Sequence, residues 1–217
     1  MEQLEEMGSF FDQRIETYEE HMLKEVKGAK EAYEEIAKYI PVKENIRLVD
    51  LGCGTGLELR EIYRRNPSAK VTGIDLSKEM LHKLEENYED QLIEVHNMSY
   101  LDFDFGVEQY DAAVSCETLH HLTHEEKLKL YTRLCNGLVI GGSYVECDYM
   151  VQDQREEDYY YAENERIRKE LGIREGIYHY DTPCTIENQI LLLQAAGFNS
   201  VEKKMQVGNT VILVCNK

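Results

Sequence analysis

The sequence predicts an α/β fold in which a mostly parallel sheet is covered by helices on both faces. From residue 46 onward, short apolar runs alternate with longer stretches of helical periodicity, which is typical of βαβ units. A glycine-rich turn joins the first apolar run to the first of these helices. Near the C-terminus, Gly208-Asn209 separates two strand-like runs and so predicts an antiparallel hairpin. The last strand is therefore expected to run against the others.

A helical cap is expected over residues 1–40, before the sheet begins. Apolar residues such as Phe11, Ile15 and Tyr18 recur at three- and four-residue spacing amid acidic residues, which indicates an amphipathic helical stripe. Pro41 is expected to end it, because the residue before a proline is disfavoured in the α conformation.

Together with this cap, the strands and helices that follow are expected to form one continuous domain that covers residues 1–217. The predicted strands are residues 46–51, 70–74, 91–96, 110–116, 143–150, 198–207 and 209–215. The predicted helices are residues 57–65, 77–88, 125–136 and 185–196. Ser77 and Thr185 stand where a hydroxyl caps a helix, and Thr123 with Glu126 has the spacing of a capping box.

Residues 153–180 interrupt the alternation with a charged segment that contains Tyr159, Tyr160 and Tyr161. This segment is expected to be a helical insertion after the fifth strand. Ligands of open α/β sheets bind beyond the carboxyl ends of the strands. We therefore expect the insertion and residues 1–22 to cover that end of the sheet.

Composition excludes several classes of partner. Forty-two acidic residues against 24 basic ones give a net charge of −18, which repels a nucleic-acid backbone. The longest apolar stretches are far shorter than the roughly 18 to 20 residues that cross a bilayer, so no membrane partner is expected. Residues 1–6 lack the positive and apolar regions of a secretory signal, which predicts a cytoplasmic location. The six cysteines are scattered without a C-x-x-C pair and are expected to be free thiols.

The strongest motif is the glycine-rich turn after the first predicted strand. Gly52, Gly54 and Gly56 allow the backbone to turn tightly and allow a ligand to approach it closely. Asp75 follows the second predicted strand about 20 residues later, where a carboxylate can bind the hydroxyls of an adenosine ribose. The motif therefore predicts a nucleoside-containing cofactor.

Two cofactor classes share this arrangement, a nicotinamide dinucleotide and S-adenosylmethionine. The dinucleotide fingerprint requires a third glycine at the position of Leu57. Asp50, just before the turn, suits a cationic ligand better than a pyrophosphate. Both details favour S-adenosylmethionine.

At these residues the sequence resembles the class I S-adenosylmethionine-dependent methyltransferases. The segment from Asp50 to Gly56 is similar to the first motif of the family, Asp75-Leu76-Ser77 to the second, and residues 110–116 to the fourth. The resemblance implies a Rossmann-like, seven-stranded, doubly wound sheet with a reversed last strand. It also implies S-adenosylmethionine as the cofactor.

The resemblance also implies roles for individual residues. Asp75 would hold the ribose, Leu76 and Met80 would lie beside the adenine, and Tyr18 would reach the carboxylate region of the cofactor. The remaining cofactor residues implied are Asp50, Gly52, Cys53, Gly54, Gly56, Asn97, Met98 and Cys116.

Four polar residues are candidates for orienting the methyl acceptor or removing its proton: Glu117, His120, His121 and His179. Methyl transfer from a sulfonium is an in-line displacement that needs no protein nucleophile, so positioning is the main requirement. Glu117, His120 and His121 follow a strand and do not lie on a helix where ligands four residues apart share a face. No metal is therefore assigned from the sequence.

The leading interpretation is a methyltransferase for a small-molecule acceptor. Two alternatives stay open at this point, an NAD(P)-dependent oxidoreductase and a non-catalytic module that only binds S-adenosylmethionine. The acceptor atom also stays open, as does the choice between monomer and homodimer.

Overall fold

The computed structural model describes residues 4–217, so the first three residues of the predicted cap lie outside it. The strands are β1 (Arg47–Leu51), β2 (Lys70–Asp75), β3 (Leu92–Asn97), β4 (Tyr110–Cys116), β5 (Leu138–Tyr149), β6 (Ser200–Val207) and β7 (Thr210–Asn216). They form one seven-stranded sheet in the order β3-β2-β1-β4-β5-β7-β6. The first five strands pair in parallel, and β7 is antiparallel to both β5 and β6. The predicted sheet and its reversed last strand are confirmed.

The strand order creates the crevice in which a ligand can bind. From β1 the chain moves outward through β2 to β3, and it then returns to place β4 on the opposite side of β1. Leu51 at the end of β1 is level with Ile74 on β2 and Ser115 on β4. Loops that leave neighbouring strands in opposite directions open a crevice at such a switch point.

The helices begin near the predicted positions from the first strand onward. They are α4 (Leu59–Arg65), α5 (Lys78–Asn87), α6 (His124–Gly137), α7 (Gln154–Leu171) and α8 (Ile186–Ala195). Ser77 accepts a hydrogen bond from the Met80 amide, Thr185 accepts one from the Asn188 amide, and Thr123 with Glu126 forms a complete capping box. The predicted caps are confirmed.

The N-terminal cap consists of three helices, α1 (Met7–Asp12), α2 (Ile15–Lys24) and α3 (Ala29–Ile36), and is not one continuous stripe. The chain turns between α2 and α3 at Gly28, whose φ is 92° and where a side chain would strike Val207 at 2.8 Å. Ser77 donates a hydrogen bond to Asp12 at 2.6 Å and fixes the end of α1 against the start of α5. Helix α1 of the cap therefore lies at the carboxyl end of the sheet.

Each face of the sheet has its own apolar core. One core joins α3, α4 and α5 through side chains such as Ile36, Ile62 and Leu84. The other joins α6 and α8 through Leu134 and Leu193. All six cysteines are free and buried. Helices thus cover both faces, as predicted.

The insertion after β5 has two parts with different surroundings. The tyrosines of α7 do not line the crevice: Tyr159 is exposed, Tyr160 contacts Tyr149, and Tyr161 donates to the Leu122 carbonyl. The residues after α7 instead pair with the N-terminal segment. The Met7 amide donates to Ile177 at 3.0 Å, and the His179 amide donates to Glu5 at 2.9 Å. Within residues 4–217, none of the helices combines the length and apolar character needed to span a membrane.

Candidate functional site

The glycine turn after β1 requires glycine at several positions. Gly52, Gly54 and Gly56 have φ values of 67°, 49° and 79°, which side chains rarely adopt. A side chain at Gly52 would overlap Thr118, and one at Gly54 would approach the Tyr18 hydroxyl at 3.3 Å. The turn thus presents bare backbone to the crevice.

Asp75 connects this turn to the next helix. Its carboxylate accepts a hydrogen bond from the Gly54 amide at 2.9 Å and another from the Ser77 amide at 2.8 Å. Burial raises the pKa of Asp75 to about 6 although these amides favour the ionised form.

A narrow groove of about 40 Å³ runs between the glycine turn and the N-terminal cap. It is lined by seven of the predicted cofactor residues: Tyr18, Gly52, Gly54, Asp75, Leu76, Met80 and Cys116. Phe11 and Glu117 also line it. The residues that the sequence assigned to the cofactor therefore largely converge.

Five other predicted cofactor residues lie behind the groove. Asn97 donates hydrogen bonds to the carbonyls of Asp75 and Leu76, and the Met98 amide donates to the Asp75 carbonyl, so both support the end of β2. Cys53 is buried in the core beside Gly73. Gly56 accepts a hydrogen bond from the Tyr88 hydroxyl. These four act on the shape of the groove, and the fifth is Asp50.

Asp50 is fully buried at the end of β1. Among residues 4–217, neither of its carboxyl oxygens has a hydrogen-bond partner. Burial raises the pKa of Asp50 strongly, and the neighbouring Glu58 raises it further. Asp50 is not among the residues that line the groove or the chamber, so its predicted contact with the cofactor stays a prediction.

A second cavity, which we call the chamber, has a volume of about 1080 Å³ and lies beside the groove. Phe10, Arg14 and other residues of α1 and α2 form one wall, and His120, His179 and Asp181 lie on another. Four side chains line both the chamber and the groove: Phe11, Tyr18, Glu117 and His121. The two spaces therefore meet at these four residues.

His120 is held by a carboxylate on the neighbouring strand. Its Nδ1 lies 2.6 Å from Oδ1 of Asp148, a buried residue of β5. Its Nε2 lies 3.7 Å from Oδ1 of Asp181. Burial alone would lower the pKa of His120, but the charge of Asp148 and then of Asp181 and Glu117 raises it to about 9.

The pKa values of His121 and His179 are shifted in the opposite direction, below the usual value for histidine. Burial lowers the pKa of His121 well below its usual value, and the adjacent His120 lowers it further. His121 Nδ1 lies 3.2 Å from the Tyr180 carbonyl and 3.3 Å from Asp181. His179 stacks on Phe10 with 3.6 Å between ring centroids, and burial lowers its pKa too.

Glu117 follows β4 in an unusual backbone conformation. Its φ is 51°, which is rare for a residue with a side chain and is found preferentially at functional sites. Thr210 donates to its carboxylate at 3.1 Å, and burial raises the pKa of Glu117 to about 7. The strained turn places this carboxyl between the groove and the chamber.

Sequence reasoning missed Asp148, Asp181 and Arg14. Asp148 carried a usable signal, because acidic residues in an otherwise apolar strand are almost never buried without a partner. Asp181 lies in a loop, where an acidic residue is ordinary. Arg14 pairs with Glu5 at 2.9 Å on the cap. Loop and cap residues such as these reach the site only through tertiary contacts.

Comparison with known proteins identifies the family. Residues 48–142 match the family model of a methyltransferase domain. An uncharacterised methyltransferase of Geobacillus sp. (strain WCH70) is 28% identical over 151 residues, which are 70% of this chain and 68% of the relative. Carboxy-S-adenosyl-L-methionine synthase of Helicobacter pylori (strain HPAG1) is 28% identical over 189 residues, with 81% of this chain and 79% of the relative covered.

Solved structures of methyltransferases share this fold. Human N-acetylserotonin methyltransferase, whose structure contains S-adenosylmethionine, superimposes with a TM-score of 0.66 at 15% identity. The superposition covers 97% of this chain, and the chain spans only 56% of the human protein. The match to a methyltransferase domain over residues 48–142 supports S-adenosylmethionine as the cofactor. The matched segment, which contains the glycine turn, Asp75 and β4, and the fold both support a class I S-adenosylmethionine-dependent methyltransferase.

Proposed function

We propose that this methyltransferase transfers the methyl group to a small-molecule acceptor bound in the chamber. The observation that carries the proposal is the shared lining of the two cavities by Phe11, Tyr18, Glu117 and His121. A cofactor in the groove and an acceptor in the chamber would meet at these side chains. The chamber is of the size of small-molecule sites, which are about 300 to 1,000 Å³.

The residues of the groove fit the cofactor. Asp75 offers a carboxylate for the ribose hydroxyls, Leu76 and Met80 offer apolar surface for the adenine, and the bare backbone at Gly52 and Gly54 leaves room for the methionine part. The bound cofactor supplies an activated methyl group on a sulfonium. The protein then has to align the acceptor, and good alignment is worth about 7 to 11 kcal/mol in intramolecular reactions.

The N-terminal cap controls access to this groove. At about 40 Å³ the groove is much smaller than the roughly 300 Å³ that ligand sites occupy. The hydroxyl of Tyr18 closes it above Gly54. We therefore expect α1 and α2 to move outward when the cofactor enters and to close again over it, which would exclude water during transfer.

Glu117 and His121 are placed to receive a proton from the acceptor. Both line the groove and the chamber, so both face the point at which acceptor and methyl group would meet. A protein base assists only an acceptor that arrives protonated. His179 and Phe10 form a flat stacked surface on the chamber side, which suits a planar acceptor.

The proposal is tested by incubating the purified protein with fractionated metabolites and with S-adenosylmethionine that carries a labelled methyl group. We expect label in a small molecule and formation of S-adenosylhomocysteine, both reduced in a Tyr18→Ala variant. Tyr159→Ala, an exposed tyrosine of α7, is the matched control. Binding of S-adenosylhomocysteine without turnover on any fraction would contradict the proposal. Conversion of the cofactor to its carboxylated form, the product named for the Helicobacter relative, would also contradict it.

A further inference from the structure

Three side chains of kinds that can bind a metal lie close together on the chamber wall: His120, His121 and Asp181. Oδ1 of Asp181 lies 3.3 Å from Nδ1 of His121 and 3.7 Å from Nε2 of His120. One donor atom from each of the three lies within 4.8 Å of the others. Donor atoms bound to one first-row metal at about 2.0 to 2.2 Å are separated by similar distances. The three side chains are therefore already close to a coordinating arrangement.

A second, independent feature orients His120 as a ligand. Asp148 holds Nδ1 of His120 at 2.6 Å and leaves Nε2 directed toward Asp181. Asp148 is only 1% exposed, and its Oδ2 has no hydrogen-bond partner within residues 4–217. A carboxylate on the far nitrogen is the usual support of a metal-bound histidine, because it fixes the ring and increases its basicity.

The charge balance of this cluster also favours a cation. Three carboxylates surround the two histidines, those of Glu117, Asp148 and Asp181. Within the part of the chain that the structure describes, the ion pairs of these three carboxylates are made to His120 and His121 alone. The side chains of Glu117 and Asp148 are buried, whereas that of Asp181 is 39% exposed. Buried carboxylates are normally paired with a cation or coordinate a metal.

We propose that His120, His121 and Asp181 bind one divalent first-row transition metal, with Asp148 as the positioning residue for His120. Two imidazoles and one carboxylate suit iron, cobalt, nickel or zinc better than magnesium or calcium, which prefer oxygen ligands. The ion replaces the hydrogen bond between His121 and the Tyr180 carbonyl, because a ligating nitrogen must be deprotonated. The sequence pattern assigned no metal because the two histidines follow a strand and not a helix, and it gave no signal for Asp181, which lies far along the chain.

The position of the site suggests its use. Three protein ligands leave coordination positions open, and these face the chamber. An acceptor with a hydroxyl, enol or carboxylate oxygen can occupy them, and a metal lowers the pKa of an oxygen that it binds. This role rests on the proposed function, whereas metal binding itself does not. When His121 ligates the metal, Glu117 is the remaining candidate base.

Another group of possible ligands lies outside the chamber and provides a control. His124, Glu157 and Cys184 are also close together. The ammonium group of the buried Lys127 lies 3.3 Å from the sulfur of Cys184 and already supplies positive charge there. We therefore expect this second group to remain without metal.

Calorimetric titration of the chelator-treated full chain with Co²⁺ and Zn²⁺ tests the proposal, and the Co²⁺ absorption spectrum reports the ligands. We expect one equivalent to bind, with affinity reduced at least tenfold in His120→Ala and Asp181→Asn and about 10- to 100-fold in Asp148→Asn. His124→Ala and the surface variant His82→Ala should bind as the wild type does. Asp181 lies in a loop, so Asp181→Asn keeps the test valid if the buried His120 variant fails to fold.

Absence of saturable binding would overturn the proposal, as would loss of binding in His124→Ala with retention in Asp181→Asn. The two proposals fail separately. Methyl transfer by a protein that binds no metal overturns only the metal site, whereas metal binding by a protein that transfers no methyl group overturns only the proposed function.

Discussion

Gly54 donates its backbone amide to the Asp75 carboxylate across a distance of 2.9 Å. The same carboxylate accepts from Ser77 at the start of α5. Asp75 therefore has two tasks, since it shapes the glycine turn and also offers oxygen atoms to the groove. A substitution of Asp75 should therefore affect both the shape of the glycine turn and the binding of a ligand in the groove.

Asp75→Ala should weaken S-adenosylmethionine binding by at least tenfold. The variant loses the carboxylate that we propose as the acceptor for the ribose hydroxyls, and each hydrogen bond to a charged group is worth roughly 1.5 to 3 kcal/mol. Calorimetric titration measures the effect, with circular dichroism as a check on folding. Asp90→Ala, an exposed carboxylate beyond α5, is the matched control. Equal affinity in a folded Asp75 variant would exclude the ribose role.

Gly54→Ala should abolish cofactor binding. A methyl group there stands 3.3 Å from the Tyr18 hydroxyl and fills the space that the cofactor needs, in addition to straining a residue with φ of 49°. Gly141→Ala separates the two effects, because Gly141 has φ of 77° with no atom within 4 Å of the added group. That control should lose about 1 to 2 kcal/mol of stability and keep its affinity. If both variants bound equally well, the glycine turn would be only a connection.

Binding of S-adenosylhomocysteine should slow hydrogen exchange in residues 5–22, 52–56 and 177–181 together. The first and last of these segments are joined by the backbone hydrogen bonds of Met7 and His179, so they should close as one unit. Helix α7 should change little, because none of its residues lines the groove or the chamber. The sequence predicted that all of residues 153–180 belong to the cover, whereas the structure restricts this part of the cover to the residues after α7. Protection confined to residues 52–56 would show that no cover closes.

Asp111→Asn should destabilise the fold at neutral pH by about 1 to 3 kcal/mol, since charge-assisted hydrogen bonds are lost. Asp111 accepts from Lys43 at 2.8 Å and from the Arg47 amide at 2.9 Å. Burial opposes its ionisation, but the contacts with Arg47 and Lys43 hold the pKa of Asp111 far below its usual value.

The stabilisation by ionised Asp111 is therefore complete above the pKa of an unfolded aspartate, about 3.9. It is lost as the pH falls from there toward the lower folded value. Urea denaturation of wild type and variant at pH 7 and at pH 3 checks this sign. A difference in unfolding free energy that grows toward acid pH would contradict it.

The sequence predicted features that depend on local patterns. Strands β1 to β7 follow from apolar runs, the helix cap at Thr123 from the three-residue spacing to Glu126, and the glycine turn from residues that tolerate positive φ. It missed features that depend on packing. The break in the cap at Gly28 is set by Val207 on β6, and Asn97 supports the groove through the carbonyls of a neighbouring loop. His120 meets Asp148 only because β4 and β5 pair in this register.

The sharing of Phe11 and Tyr18 between the groove and the chamber has a kinetic consequence. The segment that must swing aside for the cofactor is also the wall against which an acceptor packs. An acceptor that arrived first would hold this wall in place and obstruct the cofactor. We therefore expect an ordered sequence, in which the cofactor binds before the acceptor and the demethylated cofactor leaves last.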